Sequence, residues 1–238
     1  RRHALVPYVF ADSARRQPDR HRRWHPRHRA PGHVAGVELL LLLHLVRQRG
    51  QRRGRIRARQ LRADEVAGLP EMDRYLLART RRLVLAAEKS LNEFAISDAC
   101  DAVSDFIDVL TNWYIRNTRD RFWNEDASAF NTLYTVLEAF MRVLAPLAPM
   151  EAESVWRGLT GGESVHLADW PFVVDEKTGE DTELGRVLVD DPALVDAMEK
   201  VREVVSGTLS LRKAAKIRVR QPLSKLTVVV ENVDAVKA

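Results

Sequence analysis

Hydrophobic and polar positions fall into a regular order from Leu69 onward. Tyr75, Leu76, Leu83 and Leu91 mark the apolar side of a helix predicted over residues 70 to about 94. Pro70 suits its first turn, because the N–H that proline lacks would find no partner there. Ile96-Ser97-Asp98 then reads as a turn, with Ser97 as the N-cap offering its hydroxyl oxygen to the first free N–H groups. Ala99, Val103, Phe106, Ile107, Leu110 and Tyr114 recur at helical spacing and predict one buried stripe on a second helix. Asn124-Glu125-Asp126 is a polar break. A third helix follows with Phe130, Leu133, Leu137, Phe140, Met141 and Leu144 on one face, bounded by Pro146 and Pro149. A short fourth helix carries Val155 and Trp156 and stops at Gly161-Gly162, since glycine accepts the left-handed conformation of a C-cap.

Beyond this point the pattern loosens. Residues 164–171 read as extended, and residues 173–189 as a polar, acidic linker. Asp191-Pro192 begins a helix with Leu194, Met198, Val201, Val204 and Val205, predicted to end near Ala215. Residues 217–223 and 226–231 alternate or run in β-branched residues, as strands do. The expected fold is mainly α: an antiparallel helical bundle over residues 69–172, then the start of a small α+β module at 190–238. Two strands alone are marginal, so that module is expected to be incomplete.

A chain of 238 residues, 45% hydrophobic, can bury a sizeable core. The single cysteine, Cys100, excludes an internal disulfide and a cysteine-based zinc site. No apolar run reaches the roughly 18 to 20 residues of a membrane span. A soluble, cytoplasmic, reduced protein without membrane contact is the expectation, and the absence of an initiator methionine suggests a piece of something longer.

Charge changes the picture of the first 62 residues. They hold seventeen Arg, no Lys and three acids, a net of +14, and six of the seven histidines. The remaining residues carry 21 basic and 30 acidic side chains, a net of −9. A disordered, Arg-rich RNA-binding arm is one reading. The other is coding DNA read out of frame, because selection for charge alone would hardly use arginine so often and lysine never.

Catalytic motifs are missing: there is no phosphate loop, dinucleotide fingerprint, zincin or nucleophile-elbow pattern. His166 stands alone in the well-patterned region and reads as a hydrogen-bonded loop residue. Binding signals are richer. Trp113, Tyr114, Arg116, Arg119, Arg121, Phe122 and Trp123 lie within eleven residues, either as a capped helix end with core aromatics or as a platform for phosphates and unstacked bases. Arg212, Lys213, Lys216, Arg218, Arg220 and Lys225 form a second basic cluster, with Arg218 and Arg220 on one face of the first expected strand. That stripe reads equally as a phosphate contact or a solvated, salt-bridged surface.

Residues 112–123, NWYIRNTRDRFW, resemble the NWYxRxxRxRFW segment in the anticodon-binding domain of isoleucyl-tRNA synthetases. LAPLAP at 144–149, Trp156 with Leu159-Thr160, SVHL at 164–167, Asp169-Trp170-Pro171 and LRKAAKIRVRQPL at 211–223 follow in that family's order. The resemblance covers residues 70–230. It implies a C-terminal piece of an isoleucine–tRNA ligase, holding the anticodon stem-loop of isoleucine tRNA for a catalytic part of the same enzyme. Its tRNA contacts would be Trp113, Arg116, Arg119, Arg121 and Trp123, with Lys213, Arg218 and Arg220 as a second patch. The HIGH-type and KMSKS-type motifs of the catalytic core do not occur, so the chain alone is expected to be inactive and to hold no cofactor. The whole enzyme would use ATP with magnesium. Asn117-Thr118 and Asp120 stand where the family often has basic residues.

The resemblance also bears on the arm. Back-translated with free choice of synonymous codons and read one base later, residues 37–50 spell Trp-Asn-Ser-Tyr-Tyr-Phe-Phe-Thr-Leu-Tyr-Ala-Asn-Ala. That is the family's segment upstream of the bundle. A frame disruption before Val37, with the frame regained by about Leu69, is therefore expected. The competing reading is a stand-alone helical RNA-binding or adaptor protein with a functional Arg-rich arm.

Overall fold

The computed structural model describes residues 58–229; the expectations for residues 1–57 and 230–238 lie outside them. The chain divides into two compact units between Pro192 and Ala193. The first contains α1 (Ala63–Val66), α2 (Glu71–Asn92), α3 (Ile96–Asp108), a π-helical stretch (Val109–Ile115), α4 (Arg119–Trp123), α5 (Ala127–Leu144), α6 (Pro149–Thr160), a 3-10 turn (Val165–Leu167) and α7 (Glu183–Val187). The second is described over α8 (Pro192–Ala214) and the segment after it. The described protein is mainly α, as its hydrophobic spacing requires.

The core forms where the predicted stripes meet. α2 packs on α3 and α5, and α5 on α6. Leu76, Leu77 and Val84 of α2, Phe106 of α3, Leu110 of the π-helical stretch, and Leu133, Leu137 and Phe140 of α5 are all buried in one cluster. Phe106 and Phe140 lie with ring centroids 5.1 Å apart. Phe122 stands edge-on to Phe130 at 5.3 Å and to Tyr114 at 6.3 Å. Each such side chain contributes about 1.5–3 kcal/mol through burial, so the aromatic row is a main source of the bundle's stability.

The helix ends differ from expectation in one place. Ser97 is not a cap. The N-cap of α3 is Ala95, without a side-chain bond, and the Ser97 hydroxyl lies 3.4 Å from Asp98 Oδ1. The chain turns earlier, at Phe94, whose φ of 56° is left-handed. There the Ala95 N–H donates to Ser90 O and the Phe94 N–H to Leu91 O, which closes α2 with paired carbonyls and draws residue 97 into the next helix. Gly161, at φ 70°, ends α6 as its residue type requires.

Three segments are more ordered than the sequence suggests. The chain joins the bundle before Leu69: Leu61 and Val66 are buried, and the Leu61 N–H donates to Thr135 Oγ1 at 2.8 Å. Residues 164–171 contain a 3-10 turn, capped by Ser164, instead of running extended. Residues 173–189 are no linker, since Val173, Val187 and Leu188 belong to the core. Arg81 explains their docking. From a buried position on α2 it donates to Gly185 O at 2.9 Å, to Leu188 O at 3.2 Å and to Asp181 Oδ1 at 2.6 Å. Gly185 is needed there because a Cβ would stand 1.9 Å from Val173 O.

The strands expected at 217–223 and 226–231 do not form over 217–229. α8 ends with Lys216 in a left-handed conformation, φ 55°, and its last carbonyls accept from Lys216 N and Ile217 N. Arg212 then donates to the carbonyls of Arg218, Val219 and Gln221, which a strand ladder would need. No helix among the described residues is long and apolar enough to cross a membrane.

Candidate nucleic-acid interface

The segment 113–123 begins in the π-helical stretch. Phe106, Leu110, Tyr114 and Thr118 are buried at a constant spacing of four residues, wider than the repeat of an α-helix. The wider turn keeps all four on the core side. Thr118 closes this register, because both its N–H and its hydroxyl donate to Tyr114 O, at 2.9 and 2.7 Å. α4 follows as a single short turn.

Beneath the segment lies Asp73, fully buried on the first turn of α2. Its Oδ1 accepts from the Tyr114 hydroxyl at 2.8 Å and from Arg121 Nη1 at 2.8 Å, and its Oδ2 accepts from Arg121 Nη2 at 2.8 Å. Arg121 also donates through Nε to Asp126 Oδ2 at 2.7 Å and through Nη2 to Ser128 Oγ at 2.8 Å. Asp126 caps α5 by accepting from the Ser128 N–H. One fork of hydrogen bonds thus joins α2, the π stretch, α4 and α5.

The electrostatics follow from this packing. Burial, and then the Asp73 charge, push the Tyr114 hydroxyl well above its usual pKa, so it serves as a neutral donor. The hydrogen bond to Asp73 raises the Arg121 pKa against the effect of burial. Burial opposes ionisation of the Asp126 carboxyl, yet its bonds from Arg121 and Ser128 outweigh this and lower its pKa.

The residues expected to touch RNA therefore separate. Arg121 is drawn partly inward and engaged by Asp73, Asp126 and Ser128. Its position in the motif carried no mark distinguishing it from Arg116 and Arg119. Trp113 is half-buried, with an indole N–H that has no hydrogen-bond partner. Arg116 and Arg119 are exposed, and Trp123 is 56% exposed. The Arg119 guanidinium carbon sits 5.9 Å from the Trp123 ring centroid, so a cation and an aromatic face share one surface.

In the second unit, Lys213, Arg218 and Arg220 are all exposed. Arg218 and Arg220 do not share a strand face. They lie in a turn where the Gln221 N–H donates to Arg218 O at 3.0 Å. Arg212 holds this turn against the end of α8 by donating to its carbonyls, a role the sequence did not mark. Asp73 was missed as well: in Glu71-Met72-Asp73 it reads as one more acid on a helix's first turn. Among the described residues no group of three or more His, Cys, Asp or Glu side chains is placed to hold a metal ion.

Residues 73–229 match the family model of the anticodon-binding domain of tRNA ligase. The isoleucine–tRNA ligase of Bifidobacterium longum is 97% identical over 181 residues, which cover 76% of this chain and 16% of that enzyme. Its counterpart in Nocardia farcinica is 47% identical over 157 residues, 66% of this chain and 14% of that enzyme. The one in Leifsonia xyli is 49% identical over 170 residues, 69% of this chain and 14% of that enzyme. The chain spans 14–16% of the length of these curated relatives.

Proposed function

The chain belongs to the anticodon-binding domain family of tRNA ligases, and from that premise we propose that it grips the anticodon stem-loop of isoleucine tRNA within an isoleucine–tRNA ligase. The carrying observation is the exposed Arg119–Trp123 pair beside Arg116, on a segment fixed from beneath. Arg116 and Arg119 neutralise backbone phosphates, and their pairing releases counterions. Trp123 offers its ring to an unstacked loop base, an interaction that every base can make. Lys213, Arg218 and Arg220 supply a second set of phosphate contacts. Arg121 acts indirectly, through the shape of the segment.

The ligation itself falls to the remaining part of such an enzyme, in the cytoplasm, with ATP and magnesium as its cofactors. That part is the chain's first partner and the tRNA its second. Binding of isoleucine tRNA against a non-cognate tRNA, measured over a range of salt, tests the reading. The double variant Arg116→Ala/Arg119→Ala should bind about tenfold or more weakly, and the slope of log K against log salt should fall by about two. Unchanged affinity and slope would remove this surface from the interface.

A further inference from the structure

Arg116 and Arg119 lie on an arc of chain whose two ends are tied to the same carboxylate. Tyr114 precedes the arc, Arg121 follows it, and both donate to Asp73. We propose that Asp73 and Tyr114 are positioning residues for the RNA-gripping arc: they fix the register in which Arg116, Arg119 and Trp123 face outward together. The inference rests on the tRNA-binding reading above and adds to it two residues that touch no RNA.

Three features of the site support this. Asp73 is fully buried, so it contributes nothing to the surface that RNA would meet. A purely apolar filling could close the same space, whereas a two-pronged Arg121–carboxylate fork sets angle as well as distance. The π-helical stretch, a form common at functional sites, ends beside the residue the carboxylate holds, so the wider turn is pinned where the arc begins. Long arginines displayed on a held arc lose less freedom on binding than the same side chains on a loose one.

Charge and position predict opposite signs for one substitution. Asp73→Asn removes a negative charge from under a surface that binds a polyanion, so on electrostatics alone it should strengthen binding. Positioning predicts weaker binding, because the neutral amide cannot accept both prongs of the fork and the Tyr114 hydroxyl as the carboxylate does.

The experiment measures binding of an isoleucine tRNA transcript by the full chain across salt concentrations, for Asp73→Asn, Tyr114→Phe and Arg121→Lys. Circular dichroism of each variant gives the folded fraction used to correct affinity. Expected are a roughly tenfold loss for Asp73→Asn, a smaller loss for Tyr114→Phe, and a salt slope reduced by about one for each phosphate that is no longer neutralised. Arg121→Lys keeps the charge without the fork and should also weaken binding. Should Asp73→Asn fail to fold, Tyr114→Phe, which deletes one hydroxyl from a core position, decides the question. If the variants bind as well as the parent, or Asp73→Asn binds more tightly, while Arg116→Ala/Arg119→Ala still weakens binding, the positioning role is overturned and the tRNA reading stands. If the double arginine variant also changes nothing, the tRNA reading fails and the inference with it.

Discussion

The two basic clusters, three arginines within residues 116–121 and six basic residues within 212–225, rest on different supports. In the first, Arg121 is held through four hydrogen bonds to Asp73, Asp126 and Ser128, and the cluster's surface rides on a packed core. In the second, Arg212 folds the 218–221 turn back by donating to backbone carbonyls, on a segment whose residues are almost all exposed. The carboxylate anchor couples the first surface to the core; the carbonyl anchor of Arg212 couples its turn only to its own helix end. The same residue type thus yields a stiff display in one place and a lightly held one in the other.

That contrast is broken most directly at the anchors. Arg121→Ala leaves the Asp73 carboxylate buried and without its cation, and should cost about 3–5 kcal/mol of stability in urea denaturation. Arg212→Ala should cost about 1 kcal/mol or less, since its carbonyl partners regain water. Equal losses would abolish the distinction. Gly185→Ala tests whether the 173–189 segment is part of the stiff unit. Its Cβ would meet Val173 O at 1.9 Å, so a loss of about 1–3 kcal/mol is expected from the forced displacement.

Smaller effects sharpen the same picture. Lys216→Gly removes a left-handed side chain from the second cluster and should raise stability by about 1 kcal/mol. Acid should loosen the first unit by steps. Glu65, lowered to about 2 by its hydrogen bonds from Arg59 and the Arg62 backbone, contributes stability above its unfolded pKa near 4.5 and loses it as pH falls toward 2. Asp126, also lowered, adds stability above its unfolded value near 3.8 and loses it as pH falls below that value. Stability measured from pH 5 to pH 2 should therefore decline, and stay flat from pH 5 to pH 7 as far as these two groups are concerned.

Legibility in the sequence followed period. The stripes of α2, α3, α5 and α6 read correctly because one apolar face per helix leaves little choice of orientation. Phe94 hid the first turn, since a bulky residue is a poor advertisement for a left-handed position that glycine would announce. The 173–189 segment looked like a linker because its docking depends on Arg81, a hundred residues away from Asp181. The strands misread at 217–229 have the right residue types, yet local carbonyl contacts claim the backbone first. Within the segment 113–123, the motif does not mark which arginine is held from beneath. Arg116, Arg119 and Arg121 are one residue type at close spacing, and only the position of Asp73 decides which of them turns inward.

The span between Asp73 and Arg121 has a consequence for how the protein is made. Asp73 leaves the ribosome 48 residues ahead of the guanidinium that will neutralise it. Until Arg121 emerges, a carboxylate destined for a fully buried place has to stay in water, so the start of α2 cannot settle against its neighbours. The helices that complete the core around α2, namely α5 and α6, lie after Arg121 in the chain as well. The core beneath the arc and the surface above it are therefore closed by the same contact. A chain cut short before Arg121 would carry Asp73 without the guanidinium that engages it in the folded core.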